Sequence, residues 1–194
     1  QESTRTEAYY LFNPNLRFAL SNSTGFRNPS LYEMFDSTYG TRTLTPETTE
    51  TNRITISGKS KIISGGYSLN AYKSKISNLI ASASGTYIYY NANGETNISG
   101  IEGNINSQLG KKLFSNFGFA TTHKKTSDNK KNQLLPRYSL SGSLNYIIDK
   151  NFNLNTNWVS YKSTADQNNL DIDSHKSYKN IYNNLDVNKK VKFY

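Results

Sequence analysis

The sequence predicts an all-β chain of antiparallel strands whose two faces differ in polarity. Three features carry that prediction. Apolar residues recur at every second position in several segments, and short and long connections alternate along the chain. Aromatic content is 13%, with 15 Tyr against one Trp, a bias that suits strands and wet/apolar boundaries better than helix interiors. Two architectures fit a sheet with one apolar face: a transmembrane β-barrel, and a secreted β-sandwich or solenoid.

Taken in order, the first clear strand carries Leu16, Phe18 and Leu20 alternating with Arg17, Ala19 and Ser21. Ile54 and Ile56 repeat the period weakly. Ser99, Ile101, Gly103, Ile105, Ser107 and Leu109 alternate with Gly100, Glu102, Asn104, Asn106 and Gln108, so one face is mostly apolar and the other is not apolar at all. Leu113, Phe117 and Phe119 mark a further strand. Tyr138, Leu140, Gly142, Leu144, Tyr146 and Ile148 stand against Ser139, Ser141, Ser143 and Asn145, and Phe152, Leu154, Thr156 and Trp158 stand against Asn151, Asn153, Asn155 and Asn157.

Asn13-Pro14-Asn15, Ser64-Gly65-Gly66, Gly110-Lys111-Lys112 and Asp149-Lys150-Asn151 read as tight turns. Between them, long polar connections cover roughly residues 26–47, 79–95, 124–136 and 163–180. Antiparallel neighbours joined in this way place every turn at one end of the sheet and every long loop at the other. That is the arrangement of an outer-membrane barrel with short periplasmic turns and long extracellular loops. The polar faces carry Asn, Ser, Gln and Glu, the small hydrogen-bonding residues of a wet lumen wall, and Tyr and Trp lie near strand ends where an aromatic girdle would sit.

Composition sets further bounds. With 35% hydrophobic residues over 194 positions the chain is poor in material for a large buried core. Cysteine is absent, which excludes disulfides and thiolate metal sites. No run approaches the ~18 apolar residues of a transmembrane helix, a test that barrel strands escape because they need only about 9 to 11 residues of alternation. The net charge of +9 would attract anionic partners such as nucleic acid, lipopolysaccharide or an acidic ligand. Lys and Asn abound throughout, however, so compositional bias is the simpler source of that charge. It forms no stripe of the kind nucleic-acid binders carry, and no nucleic-acid partner is expected.

The stretch Ser23-Thr-Gly-Phe-Arg-Asn-Pro-Ser-Leu-Tyr-Glu-Met-Phe35, then Leu44-Thr-Pro-Glu-Thr-Thr-Glu50, then Tyr90-Asn-Ala-Asn-Gly through Gly100-Ile-Glu102, closely resembles the C-terminal half of the barrel of TonB-dependent outer-membrane receptors, the siderophore and cobalamin receptor family. There a Gly-Phe-Arg-Ala-Pro-like corner is followed by a Leu-x-Pro-Glu element and later by an Asn…Gly-Ile-Glu strand, in this order. Gly25, Phe26, Arg27, Pro29, Pro46, Glu47, Gly100 and Glu102 fall on the motif positions, with Asn28 where the family usually has Ala. The resemblance runs from about residue 15 to the end, where Tyr182-Asn-Asn-Leu-Asp-Val187 is similar to the strand two before the barrel's last.

The resemblance implies residues 1–194 as part of a receptor barrel, about nine strands of the ~22 such transporters have, with the plug domain and the last strands absent from this sequence. It implies an outer-membrane location, and the residues themselves offer no catalytic set, so no enzymatic activity or cofactor is expected. It further implies uptake of an iron complex powered by the TonB system through the plug, contact with the outer membrane and its lipopolysaccharide, and a monomer. On this architecture the strand ending at Thr24 reaches the outer face, Gly25 permits a sharp turn, Pro29 fixes the loop's exit, and Pro46 opens the returning strand, where a missing N–H matters least. Arg27 and Glu47 flank the loop and are expected to pair across its base. Tyr32, Phe35 and Tyr39 form an aromatic lip, and with Arg27 and Arg42 they are the ligand-contact candidates; girdle or loop packing is the alternative role for the aromatics.

Ligand class is read from the same loop. Haem-type members of the family usually carry a histidine there, able to ligate iron axially, and residues 28–46 contain none. Tyr32, Phe35, Tyr39 and Arg42 suit flat aromatic groups and negative charge, which fits an anionic ferric siderophore of catecholate type, with cobalamin or haem as alternatives. Elsewhere, His123 and His175 fall in or beside separate loops and make a poor metal pair. Asp166, Asp171 and Asp173 lack the Gly and Glu of a calcium-binding EF-hand loop. The Lys pairs 111–112, 124–125 and 130–131 read as solvated turns and loops, and no Ser/His/Asp set or phosphate-cradling glycine loop is present.

Overall fold

A computed structural model describes residues 2–83, 85–126, 136–149, 152–163 and 179–189. In chain order the elements are β1 (Arg5–Asn13), β2 (Leu16–Arg27), the short helix α1 (Leu31–Phe35), β3 (Glu47–Ser60), β4 (Gly65–Ser77), β5 (Ile80–Ser82), β6 (Tyr89–Asn91), β7 (Glu95–Leu109), β8 (Leu113–Lys125), β9 (Pro136–Ile147), β10 (Phe152–Ser163) and β11 (Lys179–Lys189). Nine strands make one sheet in the order β1-β2-β3-β4-β7-β8-β9-β10-β11, every neighbour antiparallel. β5 and β6 pair only with each other and sit inside one of the long connections.

The expected alternation holds. Connections of two to four residues (14–15, 61–64, 110–112, 148–151) take turns with long ones at 28–46, 78–94, 126–135 and 164–178. Each described tight turn has a local cause. The Asn13 carboxamide accepts the Asn15 N–H at 2.8 Å beside Pro14, and Gly110 takes a φ of +80° that side chains disfavour. Ser64 adopts φ 46° and bonds back to the Lys61 carbonyl. That turn covers 61–64, so Gly65 and Gly66 are strand residues rather than the turn itself. A Cβ on Gly65 would overlap the Asn106 backbone carbonyl, so glycine is there for the close approach of β7.

Cross-strand register sorts the side chains by face. Phe18, Ile56, Leu69, Gly103, Phe119 and Leu140 form one continuous row, and Leu20, Ile54, Ala71 and Ile101 the next. On the other face, Ser21, Arg53, Tyr72 and Gly100 line up, as do Ala19, Thr55, Asn70 and Glu102. A sandwich would bury the apolar rows against a second sheet. Instead Leu20 and Ile54 are 47% exposed and Ile101 is 46% exposed. Among the described residues the buried apolar side chains are Ala19, Leu44 and Ile80, and two of those three lie at the long-loop end. An apolar face left this open is stable where its surroundings are hydrocarbon, not water.

Four details differ from the sequence expectation. β1 and β4 show no clean alternation of their own and are placed by their partners. β2 does not end at Thr24: it stays paired with β3 through Gly25↔Thr49 and Phe26↔Thr48 to Arg27↔Glu47. Gly25 therefore makes no turn; its φ is not left-handed and a Cβ there would meet nothing within 4 Å. Finally, the first two long connections are not plain coil, since one holds α1 and the other the β5–β6 hairpin. Lys130-Lys131, His175, Asp166, Asp171 and Asp173 lie outside the described residues.

Candidate ligand-binding site at the long-loop end

Arg27, the last residue of β2, sits directly across from Glu47, the first residue of β3. Its Nε donates to Glu47 Oε2 at 2.9 Å and its Nη2 to Glu47 Oε1 at 3.0 Å, a planar two-point pairing. Its Nη1 reaches both Glu33 oxygens at 3.0 Å. One guanidinium thus holds a residue of the sheet and a residue of the loop together, as the expected pairing of Arg27 with Glu47 requires and with Glu33 as an added third member.

Glu33 belongs to α1 through a capping box. The Glu33 N–H donates to Ser30 Oγ at 3.2 Å while the Ser30 N–H donates to Glu33 Oε2 at 2.7 Å. Pro29 precedes this cap with its fixed φ, and Pro46 stands one residue before β3 begins. Burial pushes the Glu33 carboxyl up, but the Ser30 backbone bond and the Arg27 guanidinium outweigh it and hold the group below its ordinary range. Sequence reasoning passed over Glu33, although Ser30-x-x-Glu33 is itself a legible helix-start signal.

The second long connection folds onto the first. The Ile80 N–H donates to Glu47 Oε1 at 2.7 Å, so the covered carboxylate serves both loops. Thr41 Oγ1 donates to the Tyr89 carbonyl at 2.6 Å, and the Tyr89 N–H donates to the Tyr39 carbonyl at 2.9 Å. Aromatic edges follow. Tyr32 meets Tyr89 with ring centroids 6.1 Å apart, and Tyr39 meets Tyr87 at 6.3 Å, both edge-to-face. Tyr87 holds φ 59°, a left-handed setting that a bulky residue keeps only when its neighbours fix it. Tyr87 and Tyr89 have one sequence signal, the run of Tyr between Gly85 and Gly94, while Asn91 falls in the quoted stretch Tyr90-Asn-Ala-Asn-Gly without a role that the sequence assigns.

The remaining candidates are distributed as follows. Tyr32 and Phe35 are each 54% exposed on α1, and Arg42 lies over the Phe35 ring at 5.7 Å. Phe26 projects from the end of β2, partly exposed. Gly100 and Glu102 are not at this end but further along the wall on β7. A Cβ on Gly100 would overlap the Thr121 carbonyl oxygen and crowd the Tyr72 hydroxyl. Over that Tyr72 ring lies Arg53 at 5.4 Å, which also meets Glu102 at 3.4 Å. These two motif positions shape the polar face of the wall and do not touch the loop site.

A one-sided antiparallel sheet with turns at one end and a structured, aromatic, cation-bearing pair of loops at the other defines the wall of an outer-membrane receptor barrel. Residues 3–193 match the family described as TonB dependent receptor-like, beta-barrel, and the chain belongs to that family. Its members are receptors and transporters of the bacterial outer membrane, not enzymes.

The vitamin B12 transporter BtuB of Vibrio cholerae is 36% identical over 94 residues, 48% of this chain and 15% of that protein. The siderophore receptor PirA from Acinetobacter baumannii superposes with a TM-score of 0.67 at 13% identity, covering 95% of this chain and 34% of that one. The ferric-catecholate import receptor Fiu from E. coli K12 gives a TM-score of 0.62 at 12% identity, covering 81% and 24%. This chain therefore spans about a third or less of the length of each. At such identities the two structural neighbours speak for the fold alone.

Proposed function

We propose that this chain is part of the barrel of a receptor that imports a scarce metal-chelate nutrient across the outer membrane by TonB-dependent transport, and that the nutrient is an anionic ferric siderophore of catecholate type. The observation that carries the reading is Arg42 lying over the Phe35 ring beside the exposed Tyr32, on a loop fixed to the sheet by Arg27, Glu33 and Glu47. Flat rings and one cation not committed to a carboxylate in the described contacts suit an aromatic, negatively charged chelate. Arg27 spends its donors on two carboxylates and acts in this reading by holding Tyr32, Phe35, Tyr39 and Arg42 in place.

Family membership supports the remaining parts of the proposal: a plug domain that links the barrel to the TonB system, further strands that close the wall, lipopolysaccharide around the loop end, and a monomeric receptor. A second reading, uptake of cobalamin, is favoured by the 36% identity to BtuB over 94 residues. Growth of an iron-starved strain carrying the full-length receptor as its sole siderophore receptor, fed ferric catecholate, tests the first reading. Parallel cultures limited for cobalamin, or given haemin as iron source, test the alternatives. Growth on ferric catecholate is expected; growth restored only by cobalamin or only by haemin overturns the siderophore assignment.

A further inference from the structure

The two long loops at the site come from different hairpins, and chain connectivity does not require them to touch. One side chain makes several of the bonds across the joint between them. Asn91, the last residue of β6, accepts the Thr45 N–H at 2.8 Å and the Thr45 hydroxyl at 3.2 Å on Oδ1, and its Nδ2 donates to the carbonyls of Thr45 at 2.9 Å and Asn78 at 2.8 Å. A carboxamide has one acceptor and two donors, and here all of them are committed. Its partner Thr45 lies two residues before Glu47, whose carboxylate takes both the Arg27 guanidinium and the Ile80 N–H.

The consequence is a composite surface. The bonds from Thr41 and Tyr39 to Tyr89 bring the hairpin's rings edge-on to those of the first loop. Tyr87, 61% exposed and edge-on to Tyr39, and the next residue Ile88, 44% exposed, are then carried by the hairpin that packs on the loop bearing Tyr32 and Phe35, each 54% exposed. We propose that Asn91, with Glu47, is a positioning residue that locks the β5–β6 hairpin to the loop 28–46, so that Tyr87 and Ile88 belong to the same recognition surface as Tyr32, Phe35 and Arg42. This rests on the assignment of the long-loop end as the ligand site. Neither Asn91 nor Glu47 touches the ligand; they act by removing freedom that binding would otherwise have to remove.

The test uses the full-length receptor and two readouts. Hydrogen exchange without ligand is compared for the wild type, Asn91→Ala and Asn91→Asp, the aspartate keeping the acceptor toward Thr45 but losing both donations. Asn91→Ala is expected to raise exchange at Thr45 in the first loop and at Ile80 and Tyr89 in the second together, with Asn91→Asp intermediate and the β2–β3 ladder unchanged. Loosening confined to one loop overturns the joint. The second readout is equilibrium binding of ferric catecholate and of cyanocobalamin. For the probe that the wild type binds, Asn91→Ala is expected to weaken affinity about tenfold, and Tyr87→Ala to lose most of its effect once Asn91 is already alanine. An equal effect of Tyr87→Ala in both backgrounds overturns the shared surface. If the wild type binds neither probe, the ligand assignment under the proposed function falls, while the exchange result still decides the joint.

Discussion

Arg27 ties the first loop to the sheet through two carboxylates at once. Replacing it with alanine leaves two mostly covered carboxylates, Glu33 and Glu47, side by side without their shared cation. The predicted loss is about 1 to 3 kcal/mol of loop-docking free energy, above the ~0.2 to 1 kcal/mol of a surface pair, with the strands intact. Protease sensitivity confined to 28–46 and 78–94, together with reduced ligand uptake, is the expected result, and a double-mutant cycle with Glu47 should show coupling. Acid offers a second check. The Glu33 carboxyl is held below its ordinary range, so its contribution is complete above the ordinary glutamate pKa and is lost as the pH falls through the depressed folded value. Arg27 is the charged group bonded to it and shares its guanidinium with Glu47, and Glu33→Gln should flatten that acid limb of a ligand-binding pH profile.

At the scale of elements, glycines on the family motif separate by role. Gly100 accepts no Cβ because the β8 backbone crowds it, whereas Gly25 has open space and an ordinary strand conformation. Gly100→Ala should lower stability by about 1 to 3 kcal/mol and Gly25→Ala should stay within about 0.5 kcal/mol, both measured by urea unfolding of the detergent-folded receptor. Equal losses would mean that the Gly25 position has a demand the structure does not contain. Much of this level was legible in advance. Strands whose apolar residues alternate against Asn and Ser, such as β7, β9 and β10, announce themselves because one face meets an apolar environment and the other does not. β4 was not legible, since Lys73 and Lys75 break its apolar row near the loop end. Nor was the hairpin β5–β6, whose three-residue strands are held by Asn91, Thr41 and Tyr39 at long sequence separation rather than by any local pattern.

For the molecule as a whole, the antiparallel sheet with one apolar face was legible in the periodicity and the family resemblance chose the barrel over the sandwich, while the union of two loops into one site was not legible, because pairings between residues some 46 positions apart leave no periodic trace. The sidedness of the wall gives its own prediction. Cysteine in place of Leu31, 79% exposed on the first loop, should react with a membrane-impermeant thiol reagent on intact cells. Cysteine in place of Ile62, 97% exposed in a short turn, should react only after the outer membrane is breached. The reverse pattern would invert the assignment of the two ends.

In the nine-stranded sheet every strand lies beside the strand that precedes or follows it in that sheet, with no crossover. Such a meander can be added to one hairpin at a time, because each new strand finds its template already at the growing edge and never waits for a distant segment to arrive. Segments inserted between those strands at the loop end leave every ladder register unchanged, and lengthening them raises the closure entropy only logarithmically. The wall can therefore keep its order of assembly whatever the length and composition of the segments at its long-loop end.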